Sequence, residues 1–86
     1  MTQERPTIDD DLDVNETDDG LIIYVPATDR VHHLNPTAAV VLQLCDGSRT
    51  RAEIADGVRE VFALEVSPVA ETEECLARLS REGLVR

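Results

Sequence analysis

Two adjacent imidazoles, His32 and His33, and two thiols, Cys45 and Cys75, are the side chains of this 86-residue chain best suited to metal binding or nucleophilic attack. Their spacing argues against both. Neighbouring residues of a strand point to opposite faces, so His32 and His33 cannot chelate one ion without outside ligands. Neither cysteine sits in a CxxC pair or near a histidine in sequence, and a thiol needs a base or a positive neighbour to become a nucleophile. The acidic runs Asp9-Asp10-Asp11 and Asp18-Asp19 lack the alternating ligands and closing glutamate of a calcium loop. Gly20, Gly47, Gly57 and Gly83 are isolated, so no phosphate cradle is present. These residues read as core packing, turns and solvated charge, and without a convergent acid, base and nucleophile the chain is expected to be no enzyme and to need no metal or cofactor.

Composition narrows the partners. The net charge of -10 arises from Asp and Glu set against Arg alone, since the chain has no lysine. A phosphate backbone is held by basic residues that release counterions, so nucleic acid is an unsuitable partner and a peptide a better one. No run is long and apolar enough to span a membrane, nothing resembles an export signal, and a reducing cytoplasm is the expected compartment. A bridge between Cys45 and Cys75 is compatible with the sequence, but buried free thiols are the commoner outcome in helical patterns.

The elements that must position these residues follow from patterning. Residues 1–11 are polar, acidic and aperiodic, which marks a flexible lead-in to a single domain over residues 12–86. Residues 12–16 alternate apolar with polar, Thr17-Asp18-Asp19-Gly20 supplies turn chemistry, and residues 21–25 form a β-branched and aromatic run, the signature of a hairpin. A second turn leads into Val31-His32-His33-Leu34, a short third strand expected at the edge of an antiparallel meander. Asn35 at a cap position before Pro36 opens a first helix, in which Ala38, Val41, Leu42 and Cys45 share a stripe that Val40 and Leu44 widen, and Asp46-Gly47 ends it. Thr50 and Glu53 have capping-box spacing before a second helix with Ile54, Val58 and Val61 as its core stripe, up to Phe62. Ser67-Pro68 repeats the cap-then-proline signal for a third helix, with Val69, Leu76 and Leu79 inward and Gly83 as its stop. The order is β-β-β-α-α-α, an α+β fold.

Within this order, Leu34-Asn35-Pro36-Thr37-Ala38 followed by Leu44-Cys45-Asp46-Gly47 resembles a signature of the PqqD-like family, the recognition elements for ribosomally made precursor peptides. The Asp19-Gly20 turn, the Thr50-x-x-Glu53-Ile54 helix start and the closing Glu82-Gly83-Leu84-Val85 are similar to it as well, so the likeness runs over residues 12–85. The resemblance implies a winged-helix-like domain whose three-stranded sheet takes up the leader segment of a precursor peptide as an extra strand, between the third strand and the third helix. An edge strand offers unpaired N–H and C=O groups to an extended peptide, and pockets beside it select alternate side chains.

Carried onto this chain, the resemblance gives Arg30, Val31, His32, His33 and Leu34 as the third-strand contacts, through backbone groups. Leu34 precedes the helix cap and is expected in the core, which places His32 on the same face and Val31 and His33 opposite. On the third helix, Glu71, Glu74, Cys75, Arg78 and Glu82 form a stripe that would wall the groove, with Leu79 serving both groove and core. The implied partners are the leader and a modifying enzyme of the radical, leader-peptidase or cyclodehydratase kind; self-pairing of the open strand into a homodimer is a competing use of that edge. The leading rival reading is a winged-helix DNA-binding regulator, which three helices and a small sheet also fit. Against it, the third helix carries Glu71, Glu73, Glu74 and Glu82 beside Arg78 and Arg81, poorly suited to phosphates and base edges.

Overall fold

The computed structural model describes residues 5–9 and 11–85. β1 (Asp13–Thr17), β2 (Gly20–Val25) and β3 (Arg30–Leu34) form one antiparallel sheet with β2 in the centre. Opposed residues on neighbouring strands share a face. Leu21 opposes Leu34 and Ile23 opposes His32, and all but His32 are fully buried while His32 is half-buried. Val31 is 55% exposed and His33 is exposed on the other face, so the parity expected from Leu34 holds. The turn into β3 is pinned where the Tyr24 hydroxyl donates to Asp29 Oδ1 at 2.7 Å, and Asp29 takes a left-handed φ of 56°.

The helices cover the inner face of this sheet. α1 (Pro36–Gln43) begins as its sequence requires, with the Asn35 side chain accepting from the Ala38 N–H at 2.8 Å and Pro36 in the first turn. Ala38, Ala39, Val41 and Leu42 are buried, and Cys45, just past the helix, donates to the Val41 carbonyl at 3.1 Å. α2 (Arg51–Val61) opens on a complete capping box: the Glu53 N–H donates to Thr50 Oγ1 at 3.2 Å, and the Thr50 N–H to Glu53 Oε1 at 2.8 Å. α3 (Val69–Arg81) is tied to the start of α2 by the Arg51 guanidinium, whose Nε donates to Glu73 Oε1 at 2.8 Å. Ile23, Leu42, Ile54, Val58, Leu76, Leu79 and Leu84 meet in the centre of one core.

Three details depart from the sequence reading. Val61 and Val69, expected on core stripes, are 59% and 52% exposed, at the last residue of α2 and the first of α3. Ala55 and Thr72 occupy the inward positions instead. Ser67 does not cap α3: its hydroxyl donates to Asp56, and Pro68 stands at the cap position without a side-chain bond. The lead-in is also more ordered over residues 5–9 than its composition suggested. Pro6 is buried, the Ile8 N–H donates to the Cys45 carbonyl at 2.8 Å, and the Asp9 N–H to the Leu84 carbonyl at 3.0 Å. Two apolar side chains spaced two apart let this segment cover the seam between the end of α1 and the C-terminal strap. The rest of that acidic stretch, residues 1–4 and Asp10, lies outside the described residues, as does Arg86.

Candidate functional site

Among the described residues β3 pairs only with β2, which leaves its other edge open. Which backbone groups face outward follows from Gly20. A Cβ built there would lie 1.9 Å from the Leu34 carbonyl oxygen, so that carbonyl points toward β2. In an antiparallel strand the N–H and C=O of one residue point the same way, and the direction alternates along the chain. Arg30, His32 and Leu34 therefore bond to β2, while Val31 and His33 turn their N–H and C=O groups to the open edge.

Across from this edge stands α3. No Cα of β3 comes within 8 Å of a Cα of α3, so the two elements flank a gap rather than packing together. Side chains reach across it where His32 Nδ1 lies 3.6 Å from Glu82 Oε1, an ion pair whenever the imidazole is protonated. Between the start of α1 and α3 lies a cleft of about 500 Å³, walled on one side by Asn35, just after β3, with Thr37 and Ala38, and on the other by Glu71, Glu74, Cys75, Ala77, Arg78 and Arg81.

The expected site residues thus divide into groups. Glu71, Glu74, Cys75 and Arg78 line the cleft, and Glu82, just past the end of α3, faces His32. Val31 and His33 supply the open edge, and His33 and Leu34 also border a second depression of about 490 Å³ beside the β1–β2 turn. Arg30 is exposed at the start of β3, distant in sequence register from that depression. Leu79 is fully buried and belongs to the core alone. Replacing Leu79 by alanine is expected to lower unfolding free energy by about 2–5 kcal/mol, as for other buried leucines, measured by urea denaturation. A loss below about 1 kcal/mol would mean that the side chain is not packed as described. Sequence reasoning missed Asn35, Thr37, Ala38, Ala77 and Arg81 as cleft residues. Arg81 was legible as one turn beyond Arg78 on the same stripe, but Asn35 and Thr37 carried only a helix-start signal.

Neither thiol is disposed to react. Both are free, Cys45 buried and Cys75 half-buried. Burial pushes the Cys45 thiol up to about 12, and burial raises Cys75 too, with nearby Arg78 opposing the rise. At neutral pH both are protonated, so Cys75 contributes a small apolar surface to the cleft floor. Among the described residues, no group of three or more His, Cys, Asp or Glu side chains is placed to hold a metal ion.

An open strand edge facing a helix across a lined cleft is a peptide-binding geometry in general, and comparison with known proteins gives it a family. Residues 20–85 match the family described as coenzyme PQQ synthesis protein D, PqqD. The chain belongs to the PqqD family. The PqqD match begins at the first residue of β2 and runs to the C-terminal strap, so it takes in β3, α3 and the whole cleft while leaving β1 outside. No curated protein and no solved structure matches the chain. PqqD membership places the protein among accessory proteins of natural-product biosynthesis. No described helix is long and apolar enough to cross a membrane.

Proposed function

We propose that this protein is a non-catalytic recognition domain that captures the leader segment of a ribosomally made precursor peptide. The leader adds as a strand to the open edge of β3, in the groove facing α3, and the bound complex is presented to a modifying enzyme. The observation that carries this reading is the outward N–H and C=O groups of Val31 and His33 beside a gap that α3 leaves unfilled. PqqD membership supports both kinds of partner, a precursor peptide and a modifying enzyme.

The energetics fit a reversible carrier. Edge pairing gives sequence-tolerant affinity, and each apolar leader side chain buried in the cleft adds about 1.5–3 kcal/mol. Ordering a flexible leader opposes this by about 2–5 kcal/mol, so micromolar to nanomolar binding, about -8 to -12 kcal/mol, is expected. Tethering then raises the local concentration of the peptide core at the enzyme without any chemistry by the domain itself. The DNA-regulator reading draws no support from the site, where Glu71 and Glu74 share the exposed wall of α3 with the arginines.

Titration of synthetic leader peptides into isotope-labelled protein tests the proposal. Saturable shifts are expected at the backbone amides of Val31 and His33 and along residues 71–82. A folded domain in which no leader moves either segment would overturn the assignment.

A further inference from the structure

The cleft wall on α3 is ordered by charge. Glu71 and Glu74 stand in the N-terminal half of the helix, Arg78 and Arg81 in the C-terminal half, with Cys75 between them and Ala38 opposite. None of the four charged side chains makes a hydrogen bond or ion pair with another described side chain. This includes Glu74 and Arg78, although their spacing is that of an intrahelical pair. The acidic and basic pairs are centred about 10 Å apart at 1.5 Å per helical residue, which an extended peptide covers in about three residues. Side chains on one face of a strand recur every second residue, so the matching peptide positions are two or four apart.

We infer that the cleft selects its peptide by the order of charges along it. The peptide it fits carries a carboxylate side chain toward Arg78 and Arg81, a cationic one toward Glu71 and Glu74, and a small apolar one between them over Cys75 and Ala38. The wrong order sets like charges against each other at both ends of the cleft. Net charge cannot make this distinction. The strongly acidic chain attracts any basic peptide at long range, whereas two peptides of identical composition differ only in which end of the cleft each charge meets. This inference deepens the leader-binding reading and rests on it.

The test uses a leader peptide that shifts the Val31 and His33 amides, remade as two isomers with one Lys and one Glu four residues apart, in either order. Wild-type protein is expected to bind one isomer about tenfold more tightly than the other, since each exposed pair or clash contributes only modestly. The preference is expected to shrink in about 0.5 M salt. The double substitution Glu74→Arg with Arg78→Glu keeps composition and net charge, avoids both helix ends, and scrambles the order along the wall. It is expected to bring the two isomers within about twofold of each other while the amide spectrum stays that of a folded domain. Equal binding of the isomers to wild-type protein, or a preference that survives the double substitution, overturns the charge-order inference while the β3 shifts leave strand addition standing. If no leader shifts β3 at all, strand addition fails first and the inference falls with it.

Discussion

Replacing Val31 or His33 by proline is expected to abolish leader capture at concentrations that saturate the wild-type domain, while leaving the domain folded. Both residues turn their N–H groups away from β2 and toward the open edge, and proline removes that donor and puts a ring where the incoming strand must approach. The loss strands a peptide carbonyl without its partner, which costs about 1–3 kcal/mol per group, and the ring adds a steric block, so an affinity loss well beyond tenfold is expected. Proline is tolerated on an edge strand when its nitrogen faces solvent, and the residue before it is held in an extended conformation that a strand already has. The same change at His32 is the contrasting case. That nitrogen faces β2, so His32→Pro breaks the ladder and should unfold the sheet. Calorimetric titration with one leader peptide, alongside thermal melts of all three variants, separates loss of binding from loss of fold. Unchanged affinity in both Val31→Pro and His33→Pro would show that the leader uses a surface other than this edge.

The legibility of this site in the sequence was uneven for physical reasons. The strands and helix starts are locally encoded: the alternation through β2, the Asn35-Pro36 cap and the reciprocal Thr50 and Glu53 bonds all depend on residues within four positions of one another. Burial parity on β3 was equally accessible, because fixing Leu34 inward fixes every other residue of the strand. What failed depended on where elements end relative to the rest of the molecule. Val61 and Val69 have the right helical spacing for the core, yet stand at the terminal residues of α2 and α3 and are exposed. Ser67 has the right chemistry for a cap, yet Asp56 on the neighbouring helix takes its hydroxyl. Composition gave no sign that residues 5–9 would dock, because polar residues dominate the lead-in, yet Ile8 and Asp9 bond the Cys45 and Leu84 carbonyls beside the buried Pro6.

The cleft shows the same division. Its α3 wall follows one helical stripe, so spacing groups Glu71, Glu74, Cys75 and Arg78, while their place in a groove came from the family resemblance. Its opposite wall comes from the first turn of α1, and no local signal says that a helix start will face another helix across open space. The gap between β3 and α3 is likewise a tertiary property: α1 fills the centre of the core against both, and its bulk holds the sheet edge and the third helix apart.

That separation depends on the close pairing of β2 and β3 at Gly20, and replacing Gly20 by alanine is expected to remove most of the stability of the domain. The added Cβ would lie 1.9 Å from the Leu34 carbonyl oxygen and 3.0 Å from the Leu34 and Asn35 carbonyl carbons, all backbone atoms that no side-chain rotation can move aside. Gly20 also has a φ of 139°, which L-residues seldom adopt. Relief requires prising the end of β3 from β2, which withdraws Leu34 from the core and disturbs the Asn35 cap of α1. A loss of at least about 4 kcal/mol is expected from this combination of strain and lost packing, against a total of about 4–13 kcal/mol for a domain of this length. Gly83 supplies the comparison. It too has a positive φ, 78°, but a Cβ there meets nothing within 4 Å, so Gly83→Ala should cost only the left-handed conformation, about 1–2 kcal/mol. Urea denaturation of the two variants measures the difference directly. Equal losses would mean that β2 and β3 are not joined in this register, and the outward assignment of Val31 and His33 would lose its basis with it.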